Sequence, residues 1–233
     1  MKKIFSRLES WILPYCCIAC NKPSDRQQDL CSACLKLLPF IQTACYQCAY
    51  PLPVHGLCGQ CLKHAPSFDS AIAAFTYTNP IPSFIQQFKY QHRLVYGRVL
   101  SELLRQQLEH HPITIDALIP MPLHWWRHLC RGYNQSQLVA KLLSKHFHLP
   151  VYQQQIKRYR ATKIQRSLTK SHREENMKNA FTIGKPFPYR RVAIIDDVMT
   201  TGNTVSALAK TLKLAGVTWV EVWVIARTPN DLP

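Results

Sequence analysis

At 233 residues and 47% hydrophobic, the chain is long enough to bury a full core beside a small module. No apolar run reaches bilayer-spanning length, and the start MKKIFSRLESWILPYCC carries only a Trp11-Ile12-Leu13 patch before Pro14. These features argue against a membrane span and a secretory signal and make the cytosol the expected compartment. The formal net charge is +16; residues 122–191 hold fifteen Lys and Arg against Glu174 and Glu175, thirteen of those net charges. A field of that sign favours polyanions, whether nucleic acid, diphosphate esters or anionic membrane surfaces.

Nine of the ten cysteines precede residue 62, and eight form pairs two residues apart: Cys17/Cys20, Cys31/Cys34, Cys45/Cys48 and Cys58/Cys61. Each pair supplies half of a tetrahedral Zn²⁺ site, so residues 14–63 are expected to form a module with two structural Zn²⁺ ions. Sequential sharing places Cys17, Cys20, Cys31 and Cys34 on one ion and the other four on a second; interleaving remains open on spacing alone. Saturated four-cysteine sites leave no open coordination position, so the module reads as structural or as an adaptor for partner proteins. Cys16 and Cys130 fall outside the spacing and read as small buried hydrophobes.

Residues 62–69 read as a connector, and residues 70–233 as a second domain. Ala71 to Tyr77 is strand-like, Ile81 to Phe88 helical, and Leu100, Leu103, Leu104 and Leu108 recur at helical spacing over Val99 to Leu108. The intervening KYQHRLVYGR carries no recognisable motif. Ile115 to Met121 reads as the next strand, followed by a helix with Leu138, Leu142 and Leu143 on one side. In a parallel sheet the loop between them would let Arg127, Arg131, Gly132, Asn134 and Gln135 converge on one ligand. The adjacent Trp125 and Trp126 could stack on a base, although adjacent tryptophans more often serve packing. Ile156 to Phe181, with Lys157, Arg158, Arg160, Lys163, Arg166, Lys170, Arg173 and Lys178, reads as a cationic flap that could cover a diphosphate or track a phosphodiester backbone.

The stretch VAIIDDVMTTGNT, Val192 to Thr204, organises the rest. A buried strand, Val192 to Ile195, ends in Asp196 and Asp197, and Thr200, Thr201, Gly202, Asn203 and Thr204 lead into a helix burying Val205, Leu208 and Leu212. A hydroxyl-rich helix start offers N–H groups and the positive dipole end to a phosphate, while Gly202 permits close approach. Two upstream carboxylates suit sugar hydroxyls or a phosphate-bound Mg²⁺. The final strand, Thr218 to Ala226, alternates Trp219, Glu221 and Trp223 with Val220, Val222 and Val224.

The Asp196 to Thr204 stretch resembles the 5-phosphoribosyl 1-diphosphate (PRPP) motif of type I phosphoribosyltransferases. That resemblance implies an α/β parallel-sheet phosphoribosyltransferase fold behind the zinc-ribbon module. It also implies ribose contacts from Asp196 and Asp197, phosphate contacts from Thr200 to Thr204, and diphosphate contacts from Arg127 and Arg131, with Mg²⁺ accompanying PRPP. The wider pattern resembles the ComF (ComFC/GntX-like) family over nearly the full length. It comprises the cysteine pairs, Ile119-Pro120-Met121-Pro122-Leu123 with Arg131-Gly132-Tyr133-Asn134-Gln135, and Arg158-x-Arg160-x-Thr162-x-x-Gln165-x-x-Leu168 with Arg173-x-x-Asn176 and Ala180-Phe181, together with the PRPP loop.

Membership implies a competence-associated protein that binds PRPP and handles single-stranded DNA in the cytoplasm during natural transformation. Arg131, Lys157, Arg158, Arg160, Lys163, Arg166, Lys170 and Arg173 would meet the strand, and the zinc module would meet competence-machinery proteins. Two alternatives stand beside it: an enzyme transferring ribose 5-phosphate from PRPP to an acceptor, and an RNA-binding regulator on the same fold. The amidophosphoribosyltransferase label often given to the family finds no support, because the Met1-Lys2-Lys3 start offers no terminal cysteine nucleophile.

Overall fold

The computed structural model describes residues 15–123, 132–153, 155–158, 181–184 and 186–229. Two five-residue helices, α1 (Ser32–Lys36) and α2 (Gly59–Lys63), lie in the cysteine-rich part. They are followed by β1 (Ser70–Thr76), α3 (Ile81–Tyr90), α4 (Leu94–Leu108), β2 (Ala117–Pro120) and α5 (Gln135–Phe147). The last elements are β3 (Ile156–Arg158), β4 (Phe181–Ile183), β5 (Arg191–Met199), α6 (Asn203–Leu214) and β6 (Trp219–Arg227).

A four-stranded sheet runs β1-β6-β5-β2, all pairs parallel, so the architecture is α/β as expected. Strand β6 is nearly continuous in apolar residues because it sits inside the sheet with both faces covered. Its residues divide by parity. Trp223 and Ile225 pack with α3, α4 and α5, whereas Val220, Val222 and Val224 pack with Val205, Leu208 and Leu212 of α6. Helix α6 therefore covers the face opposite the other three helices, with the antiparallel β3–β4 ribbon beside it.

The cysteine-rich part wraps the free edge of β1. Phe40 bridges Phe75 antiparallel, Ile41 N–H donates to the Ala74 carbonyl and Thr76 N–H to the Pro39 carbonyl. This occupies backbone groups that an open edge strand would expose. Cys17 and Leu30 then join the core on the α3/α4/α5 face, while Cys45, Cys48, Cys58 and Cys61 join the core on the α6 face.

Several expectations are corrected. Strand β5 does not stop at Ile195 but continues to Met199, because its pairing with β6 runs through Asp196↔Val224 to Met199↔Arg227. Helix α4 begins at Leu94 rather than Val99, so most of KYQHRLVYGR is helix end and helix start around a turn with His92 at φ 53°. Gly97 is required there: a Cβ would fall 2.3 Å from Cε2 of Phe88, so α3 and α4 meet ring against backbone. Leu142 is exposed; the inner face of α5 is Val139, Ala140 and Leu143. Cys16 is exposed too, since it precedes the inward-pointing Cys17 and bridges Pro23 on the outer side of the knuckle. Cys130, Trp125 and Trp126, and the flap from residue 159 to 180, lie outside the described residues.

Candidate functional site

The eight paired cysteines gather into two groups, Cys17/Cys20/Cys31/Cys34 and Cys45/Cys48/Cys58/Cys61, the sulfurs of each group within 4.8 Å of one another. Sharing is therefore sequential. A Zn–S bond of about 2.3 Å in tetrahedral geometry puts ligand sulfurs about 3.8 Å apart. Cys20 and Cys31 are 3.9 Å apart and Cys48 and Cys58 3.6 Å, so both groups fit Zn²⁺. Cys31 and Cys58 are the N-caps of α1 and α2, which brings the last cysteine of each group, Cys34 or Cys61, onto a first helical turn. In the second group Cys58 N–H points at Cys45 Sγ (3.3 Å) and Cys61 N–H at Cys58 Sγ (3.4 Å), donors that orient thiolate ligands. The second group is wholly buried; in the first only Cys17 is.

The acid pair lies near the carboxyl end of β5, the edge at which open parallel sheets bind ligands. Asp197 is buried, and its Oδ1 accepts from Lys89 Nζ of α3 at 2.8 Å. Asp196 Oδ1 accepts from Ser136 Oγ of α5 (3.1 Å) and from Asp197 N–H (2.9 Å). Burial, reinforced by the Asp197 charge and opposed by Lys89, pushes the Asp196 carboxyl up to about 7. Two neighbouring acids with one lysine between them leave a carboxyl that exchanges a proton near neutrality and favours an arriving cation or hydroxyl donor.

Beyond Met199 the chain turns outward. Thr200, Thr201 and Asn203 are exposed, and Gly202 at φ 75° is the N-cap of α6; a glycine offers no cap of its own, Thr201 Oγ1 accepts from Asn203 N–H only at 3.4 Å, and there is no acid in the first turn. The helix start thus keeps its positive end open to an anion. Ser67 N–H donates to Ser206 Oγ (2.9 Å), and Phe68 packs beneath Gly202, fixing the cradle from below.

The loop before α5 comes to the same edge with a different use of its polar groups. Asn134 is the N-cap of α5, accepting from Ser136 N–H and donating to the Met121 carbonyl, both at 3.0 Å. Gln135 is buried with Nε2 3.5 Å from the Lys89 carbonyl, and Tyr133 donates to the Phe88 carbonyl. Asn134, expected to converge on a ligand with Gln135, ties the start of α5 to the end of β2, and Gln135 with Tyr133 meets the end of α3 that carries Lys89. Arg127 and Arg131 lie outside the described residues, as do Arg160, Lys163, Arg166, Lys170 and Arg173. Lys157 is in β3, and Arg158 lies over the Phe181 ring at 5.6 Å. Sequence reasoning missed Lys89 and Ser136, which meet the acid pair from 108 and 60 residues away.

A parallel α/β sheet with a paired-acid, glycine-opened edge, wrapped by a double four-cysteine module, defines the class of protein. Residues 8–62 match the double zinc ribbon domain family. Competence protein F of Haemophilus influenzae is 38% identical over 210 residues, 85% of this chain and 90% of that protein. DNA utilization protein YhgH of Escherichia coli K12 is 34% identical over 93% of this chain and 98% of that one. Competence protein ComFC of Streptococcus pneumoniae is 24% identical over 66% and 67% of the two chains. The solved allosteric regulatory enzyme of purine biosynthesis overlaps 60% of this chain and 29% of its own, at 15% identity and a TM-score of 0.39. The chain belongs to the competence protein F (ComF) family, with a double zinc ribbon at its amino end. Among the described residues no helix is long and apolar enough to cross a membrane.

Proposed function

We propose that this chain binds PRPP at the carboxyl edge of its sheet and single-stranded DNA through its basic segments, acting in the cytoplasm in DNA handling during natural transformation. The observation that carries the PRPP reading is the succession on one edge of Asp196, Asp197 and the Gly202-started α6 with no acid in its first turn. The acids suit the ribose hydroxyls and Mg²⁺, with Lys89 as the cation they displace or share. The Thr200 to Thr204 loop suits the 5′-phosphate. Arg127 and Arg131 are assigned to the diphosphate, and Arg131, Lys157, Arg158, Arg160, Lys163, Arg166, Lys170 and Arg173 to the strand. The names of the relatives, a competence protein and a DNA utilization protein, support DNA rather than RNA as the polyanion. The saturated zinc module is assigned to docking partner proteins of the competence machinery.

Thermal shift with PRPP plus Mg²⁺, free nucleotides and short oligonucleotides tests the reading. A ligand at 100 times its Kd stabilises by about 2.7 kcal/mol, roughly 5–10 °C for a chain of this size. Single-strand binding through ~6 phosphate contacts gives a log K against log salt slope of roughly −4. No shift with PRPP removes the pocket assignment, and no single-strand affinity at low salt removes the DNA assignment. Pyrophosphate release from PRPP with an acceptor base, lost in Asp196→Asn, would shift the conclusion to a transferase.

A further inference from the structure

Arg227, the last residue of β6, is 1% exposed, and no carboxylate among the described residues pairs with it. A buried guanidinium is tolerated only when its donors are met. Here carbonyl oxygens meet Nε and Nη1, from two places. On one side Nε donates to the Cys48 carbonyl at 3.0 Å, and the guanidinium lies 5.8 Å from the ring centre of Tyr50. On the other side Nη1 donates to the carbonyls of Met199 (3.2 Å), Thr200 and Thr228 (2.9 Å). Cys48 belongs to the second four-cysteine group; Met199 and Thr200 are where β5 turns into the Thr200–Thr204 loop.

We infer that Arg227 is a positioning residue that couples the second zinc site to the Thr200–Thr204 loop, so that zinc in that site holds the loop in its anion-receiving shape. The guanidinium is planar and rigid, so its two sets of acceptors hold their places only together. Zinc clamps the knuckle carrying Cys48, and with four thiolates it leaves a net negative charge beside the buried cation. Among the described residues the first site has no such link: Cys17, with Cys31 and Cys34, packs on the opposite face of the sheet. Coupling of this kind is reciprocal, so a ligand on the loop retains the second zinc by the factor by which that zinc tightens the ligand.

The test uses the full chain loaded with both zinc ions, comparing wild type with Arg227→Lys, which keeps the charge but loses the planar fork. Hydrogen exchange follows the 199–204 segment. Zinc transfer to a chromogenic chelator is followed with mass-spectrometric alkylation of each cysteine, so that each release is assigned to its site. In Arg227→Lys, loop exchange and second-site zinc release both rise, each by about tenfold, the loss of about 1.4 kcal/mol, while first-site release stays unchanged. A rise in only one of the two, or an equal rise at both zinc sites, overturns the coupling. In wild type, saturating PRPP with Mg²⁺ slows second-site release and leaves the first site alone; if bound PRPP leaves both rates unchanged, the coupling is likewise overturned. This second arm rests on the PRPP reading and also serves if Arg227→Lys does not fold. PRPP that fails to bind at all sinks that reading while the exchange arm still decides the coupling.

Discussion

The two edges of the sheet treat their carboxylates in opposite ways. At the amino edge each is met by donors from the fold: Asp69 accepts from Val220 N–H (2.8 Å) and Lys213 (2.7 Å), Asp116 from the N–H groups of Arg190 (3.1 Å) and Arg191 (2.8 Å). Glu221 accepts both indole N–H groups flanking it, Trp219 at 3.0 Å and Trp223 at 2.9 Å. At the carboxyl edge Asp196 and Asp197 also accept from the fold, through Ser136, the Asp197 N–H and Lys89, but they adjoin one another with a single lysine, and one carboxyl is driven towards its neutral form. Amino-edge acids serve stability; the carboxyl-edge pair is held against it, the arrangement expected where a ligand completes the charge balance.

The largest effect that would sharpen this contrast is Asp69→Ala. It removes the acceptor of the buried Val220 N–H and the partner of Lys213, and an unmet buried donor costs about 2–3 kcal/mol. The expected consequence is a fall in Tm of roughly 5–10 °C with no change in ligand affinity. A neutral Asp69→Ala would break the contrast at the amino edge.

Asp196→Asn is expected to act with the opposite sign, and pH separates the two. The folded pKa of Asp196, about 7, lies above the ordinary carboxylate value, so the native state holds more protons than the unfolded state between the two values. Its contribution to stability is therefore greatest below the unfolded pKa and declines as pH rises to about 7. Asparagine cannot ionise, so Asp196→Asn is expected to melt ~2–4 °C above wild type at about pH 8, the gap closing towards about pH 5.5. Staying above about pH 5.5 limits protonation of the zinc thiolates. Melting curves across that range, read beside PRPP affinity, check both halves: higher Tm and weaker binding. A gap independent of pH would assign the effect to packing.

What the sequence disclosed and what it hid follow the same division. Paired cysteines, the period-two pattern of β6 and the strand–acid–threonine–glycine order are local signals, and they located the zinc groups, the last strand and the strand–loop–helix that carries the candidate site. Lys89, Ser136 and Arg227 carry no local signal. Lys89 ends an ordinary amphipathic helix, Ser136 follows a cap, and Arg227 closes an apolar strand; only the parallel order β1-β6-β5-β2 brings them to one edge. Pairing also explains the extra length of β5: Asp196 to Met199 contain polar residues, and their strand geometry comes from β6 beside them. Which face each zinc group takes depended on the Pro39–Ile41 crossing of β1, a tertiary contact that cysteine spacing does not encode.

The smallest effect compares the two ends of α6, which belong to the two edges. Gly202, at φ 75°, starts the helix at the carboxyl edge; Gly216, at φ 103°, follows it at the amino edge. A Cβ on Gly202 would sit 3.6 Å from Met199 Sδ, an ordinary contact, and on Gly216 it would meet nothing within 4 Å. Neither alanine is blocked by space, so both lose about 1 kcal/mol to the left-handed backbone alone, a fall in Tm of roughly 2–4 °C. The two substitutions part on binding. Gly202→Ala points its methyl at Met199 and Phe68 beneath the cradle but strains the turn whose shape an anion needs at the helix start, so PRPP affinity is expected to drop about tenfold, worth about 1.4 kcal/mol. Gly216→Ala should leave it unchanged. Calorimetric titration of both variants with PRPP and Mg²⁺ reads this directly, and equal affinities would place the phosphate away from α6.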